Sequence, residues 1–174
     1  GFNAAFIVDQ ATRDRLVFGD PNCAEIIRPI LRGEDLRPWY QENEGRWLIF
    51  TRRGVNIELY PTIKAHLAQF RSQLEPCPDD WNRAQLWQGR KPGPYAWYEI
   101  QDTVDYFAWF QKPKIIWPDI GKYPRFSWDV SGAYVNDKGY LAVPDTPFEL
   151  GILQSRAIWS CISQLCVPLG ERAG

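Results

Sequence analysis

Proline marks where the helices of this chain begin and end. Fourteen prolines are spread through 174 residues. The ring fixes φ and removes a backbone donor, so a proline opens, ends or distorts an element more readily than it lies inside one. Asp20-Pro21 reads as a helix start, with the carboxylate as cap and the proline at the first helical position. That helix is expected to turn Ala24, Ile27 and Leu31 inward until Pro29 distorts or ends it. Pro61 opens a second helix, where Ile63, Leu67, Phe70 and Leu74 recur at helical spacing and Pro76 and Pro78 close it. Thr146 and Glu149 form a capping box around Pro147, opening a helix with Ile152, Leu153, Trp159 and Ile162 on its apolar stripe; Pro168 stops it.

Between these helices the pattern is one of short strands. Residues 4–9 read as a buried strand, after which Asp9 caps a brief helix through Arg15 and Leu16. Residues 32–39 form a charged turn, and 47–50 and 97–100 read as strands. Residues 114–120 are a β-type run in which Pro118 marks an edge or a bulge. Residues 126–130, 133–135 and 140–143 follow one another around tight turns, the last supplied by Asp137-Lys138-Gly139. The expectation is α+β: one domain over residues 1–174, with central, short, mostly antiparallel strands and helices near both ends. A domain of this length needs no disulfide or metal staple.

Composition narrows the class further. No run of about 18 apolar residues exists to span a membrane. The first eight residues are mostly apolar but lack the basic region and cleavage site of a secretion signal. The chain has no Met, so it is expected to be an excised fragment or a processed chain. Cys23, Cys77, Cys161 and Cys166 form no C-x-x-C pair, and His66 is the single histidine. That argues against a zinc site and for reduced, mostly buried thiols in a cytoplasmic protein.

The residues offer little catalytic chemistry. His66 has no nucleophile near it in sequence and reads as a helix-surface or packing residue. Neither G-x-x-x-x-G-K-[ST] nor G-x-G-x-x-G occurs. Pro118-Asp119 and Asp137-Lys138 faintly suggest a metal-dependent nuclease, but Asn136 stands where a second acid would be needed. Asp79-Asp80 and Glu34-Asp35 are better read as caps and solvated turns than as acid–base pairs.

Charge is more informative. The formal net charge is −1, which excludes nucleic-acid binding through bulk positive charge but permits a local basic face. Residues 81–94 carry Arg83, Arg90 and Lys91 and no acid, on a loop punctuated by Gly89, Pro92, Gly93 and Pro94. Residues 110–128 carry Lys112, Lys114, Lys122 and Arg125 against Asp119 alone, interleaved with Trp117, Tyr123 and Phe126. Each window is +3, so the remainder of the chain sums to −7. Cations neutralise phosphates, and planar or hydrogen-bonding side chains read base edges. The plainer alternative is that the lysines solubilise a surface and the tryptophans fill a core.

A series of phrases in fixed order adds a resemblance. They are Ala5-Phe6-Ile7-Val8-Asp9, then Ile26-Ile27-Arg28-Pro29-Ile30-Leu31-Arg32-Gly33-Glu34-Asp35-Leu36, then Trp47-Leu48-Ile49-Phe50. Trp97-Tyr98-Glu99-Ile100 and Lys112-Pro113-Lys114-Ile115-Ile116-Trp117-Pro118-Asp119-Ile120 follow, and Leu150-Gly151-Ile152-Leu153-Gln154-Ser155-Arg156 comes last. In order and spacing they resemble the TaqI-like C-terminal specificity domain. That is the target recognition domain of adenine-specific DNA methyltransferases and of fused restriction–modification enzymes.

The resemblance implies a reader of duplex DNA, with catalysis in an upstream methyltransferase domain of the parent protein. That domain would bind S-adenosylmethionine, handle the adenine through an N-P-P-[YF] motif absent here, and could be joined to an endonuclease. This chain alone would hold no cofactor and no catalytic residue, and both its ends are expected to be cut from a longer protein. The resemblance does not fix which side chains touch DNA; the contact candidates come from the local charge, which would put Arg83, Arg90 and Lys91 on a loop entering the major groove. Lys112, Lys114, Lys122 and Arg125 would hold phosphates, and Trp87 and Tyr123 would stack or wedge. The turn from Arg32 to Arg37 would face DNA or the catalytic domain. The competing readings are a protein-interaction module docking a subunit of a DNA-defence assembly, and a carbohydrate-binding domain using tryptophan platforms.

Overall fold

The computed structural model describes residues 2–82 and 85–165. The backbone packs as two compact units. One takes in the chain up to Pro29 together with Gly45–Asp105, the other Ile30–Glu44 together with the chain from Tyr106 onward.

The first unit begins with a helical turn, α1 (Asn3–Phe6), that runs directly into β1 (Ile7–Val8). Residues 4–9 are therefore half helix and half strand rather than one strand. Asp9 then caps α2 (Gln10–Gly19), accepting the Thr12 amide at 2.8 Å. Asp20 and Pro21 start a 3-10 turn, Pro21–Glu25, and not the longer helix expected from the sequence. The chain instead enters β2 (Ile27–Leu31), because pairing with β3 (Trp47–Ile49) outweighs the local helical reading. β3 is central, antiparallel to β1 (Ile7↔Leu48) and to β2 (Ile27↔Ile49, Pro29↔Trp47). α3 (Pro61–Ala68) and α4 (Arg71–Leu74) follow. Ile63, Leu67 and Leu74 meet Phe6, Val8, Ile27 and Ile49 in the core of this unit. Residues 97–100 are a turn, not a strand. The Glu99 carboxylate accepts the Gly54 and Ala96 amides at 2.7 and 2.8 Å, folding the segment back on itself.

In the second unit β4 (Lys114–Pro118) lies between β5 (Ser127–Asp129) and β7 (Gly139–Ala142), antiparallel to both. Pro118 is thus the last residue of a central strand and marks neither an edge nor a bulge. Both faces of β4 are covered. Ile115 and Trp117 pack with Leu150, Leu153 and Ile162, whereas Ile116 packs with Leu31, Leu36 and Ala133. A strand buried on both faces reads as one unbroken apolar run, as 115–117 does. β6 (Tyr134–Val135) leaves that sheet and pairs in parallel with the end of β2, Ile30↔Tyr134. The expected succession of three strands is therefore interrupted at its middle member. Thr146 accepts the Phe148 amide at 3.2 Å and bonds Glu149 at 2.7 Å, opening α5 (Phe148–Leu153). α6 (Arg156–Leu165) follows as a separate helix; Pro168 lies outside the described residues.

The class is α+β with mostly antiparallel strands, as expected. Among the described residues no helix is long and apolar enough to cross a membrane. Of the described cysteines only Cys23 is buried, and Cys161 is exposed, so the thiols are not mostly buried.

Candidate nucleic-acid interface

In the first unit the basic loop is anchored by one of its own cations. Arg90 is 5% exposed. Its guanidinium donates to the carbonyls of Leu74 (2.7 Å), Glu99 (2.7 Å), Trp97 (2.9 Å) and Ala96 (3.2 Å). The Tyr95 ring lies 4.5 Å from it. Burial pulls the Arg90 pKa below the ordinary guanidinium range, and Tyr95, Glu75 and Glu99 partly oppose that; the group stays cationic. Arg90 therefore staples the loop to the end of α4 and cannot read a base, which corrects the expectation from charge alone.

The backbone beside it is equally constrained. A Cβ on Gly89 would stand 2.2 Å from the Glu75 carbonyl, so only glycine allows this approach. Trp87 donates to that same carbonyl at 3.2 Å and meets Trp81 edge-on at 4.8 Å between ring centroids. Trp87 is half-buried, its indole already occupied. Lys91 is exposed with no acidic partner among the described residues. Arg83 lies outside the described residues.

In the second unit Lys114 is likewise internal, at 0% exposure. Its ammonium donates to the Phe110 carbonyl at 2.7 Å and pairs with Asp129, which also holds Ser131. Lys114 is not a phosphate contact, because strand pairing puts Asp129 directly across from it.

Arg32 pairs with Glu34 at 3.3 Å and Arg37 with Glu42 at 2.6 Å, so the two arginines of that turn are largely neutralised. Asp35, read as a solvated acid, is buried and caps its own turn by accepting the Arg32 amide at 2.7 Å.

Other members of the second window do come together. Arg125 donates to the carbonyls of Gly33 (3.3 Å) and Ile120 (2.7 Å) and lies 5.8 Å from the Tyr123 ring. It ties the 33–40 turn to the 119–126 loop. Its partners are neutral carbonyls, so its charge, unlike that of the two paired arginines, is not offset by an adjacent carboxylate. Lys122 is exposed beside it, and Tyr123 is 53% exposed. The Lys138 carbonyl accepts the Asp119 amide at 2.8 Å and would lie 3.0 Å from a Cβ on Gly33. That close approach brings an exposed lysine to the same group of loops. Lys112 is also exposed, following the 3-10 turn Phe107–Gln111.

Sequence reasoning missed Lys138, Trp39 and Tyr40. The two rings are 55% and 53% exposed on the same turn. Arg37-Pro38, a turn-initiating pair, was the available signal. Asp119 accepts the Tyr140 hydroxyl at 3.0 Å, which raises the Tyr140 pKa. Among the described residues no group of three or more His, Cys, Asp or Glu is arranged to hold a metal.

The arrangement is a set of loops presenting exposed cations and exposed rings. Such a surface can bind a polyanion that carries planar groups. No family model matches the chain. Over 88% of its length the fold is shared with part of a Type IIL restriction–modification enzyme, MmeI, whose structure was solved in complex with DNA; the TM-score is 0.52 and the identity 13%. The chain spans 19% of the length of that enzyme chain. At this identity the likeness is one of fold: the chain has an architecture found within a restriction–modification enzyme.

Proposed function

We propose that this chain is the duplex-DNA target recognition part of a restriction–modification adenine methyltransferase, of the TaqI-like type. The observation that carries the reading is a fold shared over 88% of the chain with a restriction–modification enzyme solved on DNA. The loop group of the second unit gives it a chemical basis. Lys122, Arg125 and Lys138 supply charge for phosphates, with Lys112 as a further contact, and Tyr123 offers a stacking face. In the first unit Lys91, with Arg83, is the candidate for base edges in the major groove. Phosphate contacts fix register and base contacts specify sequence. An adenine must leave the stack before its amine can be methylated, at a cost of roughly a few kcal/mol. A recognition part helps by gripping the duplex while that happens. S-adenosylmethionine binding and methyl transfer are assigned to a catalytic domain of the parent, not to this chain.

The test is titration of duplex DNA by fluorescence anisotropy at several salt concentrations, with Lys122→Ala and Lys112→Ala. Each variant is expected to weaken all sequences alike and to reduce the salt slope by about 1. Affinity that hardly changes with salt would overturn the reading and favour a protein-interaction module instead.

A further inference from the structure

Trp39 combines an unusual backbone conformation with a largely exposed ring. Its φ is +80°, and it is the non-glycine residue with positive φ among those described. Pro38 precedes it, Leu36 bridges Gln41, and the Arg37 amide donates to the Tyr40 carbonyl at 2.9 Å. A positive φ at the tip of a tight turn is a position that favours glycine or asparagine. A bulky aromatic residue there is an outlier, and a backbone held so persists only where its surroundings over-determine it. They do here. The Trp39 amide donates to the Phe126 carbonyl at 2.9 Å, and its carbonyl accepts the Trp128 amide at 3.2 Å.

The same anchoring aims the ring. It is 55% exposed, belongs to no core cluster, and has no ring or cation partner among the described residues. Glycine would satisfy this backbone at lower cost. Tryptophan adds an exposed π surface that glycine lacks. Phe126, which holds it, directly follows Arg125, the cation linked to the Tyr123 ring.

We infer that Trp39 is a base-stacking residue, placing its indole against the face of a nucleobase that has been unstacked from the duplex, while Lys122 and Arg125 take the flanking phosphates. This rests on the DNA-recognition reading above. Stacking is sequence-tolerant because every base has a π face, and its removal by truncation costs about 5- to 150-fold in affinity.

The experiment takes its probe from a random duplex library, selected on the wild-type chain. The selected duplex is then substituted with 2-aminopurine at successive positions. Trp39→Gly is expected to stay folded, since the relieved backbone offsets part of what the lost ring and the freer unfolded chain cost, yet to bind the duplex about 5- to 150-fold more weakly with an unchanged salt slope. Trp39→Phe is expected to retain most of the affinity. One 2-aminopurine position should change fluorescence on binding the wild type and not on binding the glycine variant. If Trp39→Gly binds within twofold of wild type while Lys122→Ala lowers the salt slope, the stacking inference fails and the DNA reading stands. If no duplex is enriched, or none binds with salt dependence, both fail.

Discussion

Replacing Arg90 by lysine keeps the charge and removes the fork, so it separates an internal staple from a DNA contact. The guanidinium spans two places at once: the Leu74 carbonyl at the end of α4, and the Ala96, Trp97 and Glu99 carbonyls of the following turn. Lysine presents its donors from a single nitrogen and can serve one side only. Whichever side it abandons leaves at least one buried carbonyl without its donor, at about 1–3 kcal/mol each. Arg90→Lys should therefore cost about 2–4 kcal/mol. Arg90→Ala, which also gives up the contact with the Tyr95 and Phe6 rings, should cost about 4–6 kcal/mol; domains of this kind have only about 5–15 kcal/mol in total. With a urea m-value of about 2 kcal/mol/M, the lysine variant should lower the midpoint by roughly 1–2 M, read by circular dichroism. Its duplex affinity under native conditions should stay near that of wild type. The reasoning is refuted if Arg90→Lys stays within about 0.5 kcal/mol of wild type, the range of an ordinary surface change, while duplex affinity falls tenfold. That pair of results would place the side chain outside, against DNA.

Lys114→Met leaves Asp129 buried without its cation and should destabilise by about 3–5 kcal/mol, with Lys114→Met/Asp129→Asn recovering part of the loss in the same denaturation assay. His66 gives a pH dependence of defined sign. Burial, helped by the Arg15 charge, holds its pKa below the ordinary imidazole value, while the bond from its ring to the Ala5 carbonyl (3.1 Å) opposes the shift. The folded state thus prefers neutral His66: the stability it contributes is present above the unfolded pKa of about 6.5 and is lost as pH falls through the lower folded value. Being the single histidine, it should account for most of the slope just below about pH 6.5, and His66→Gln should flatten that part of a stability-versus-pH curve.

The elements legible in the sequence are those whose determinants are local. Asp9, Pro61 and the Thr146–Glu149 pair act within one turn of themselves, and each stands where its helix begins. Residues 27–31 fail for the opposite reason. Ile, Arg, Pro, Ile and Leu fit a short buried strand as well as a proline-ended helix, and periodicity over so few residues cannot separate them. Partners at Trp47 and Tyr134, far along the chain, decide it. The 97–100 turn depends on Glu99 capping the distant Gly54 amide, and no local pattern announces that bond.

Candidate site residues fail where counting charge stands in for locating it. Arg90 and Lys114 look like surface cations because no acid is near them in sequence, yet both are internal. One is satisfied by four neutral carbonyls and the other by an acid fifteen residues away. Each had a weak signal. Gly89 suggested a crowded backbone beside Arg90, and Lys114 opens a run buried on both faces. Without them each window falls from +3 to +2, so segregation of charge along the sequence alone supports a basic face only weakly. Geometry supports it better. Arg125 clasps the Gly33 carbonyl and Phe126 clasps Trp39, so the second unit fixes Lys122, Arg125 and two exposed rings in one loop group by bonds that no window count contains. A cation satisfied by carbonyls keeps its field, whereas one paired with a carboxylate largely loses it. That difference leaves Arg125 a candidate for phosphate and turns Arg37, two residues from the exposed Trp39, into part of the scaffold that holds the ring.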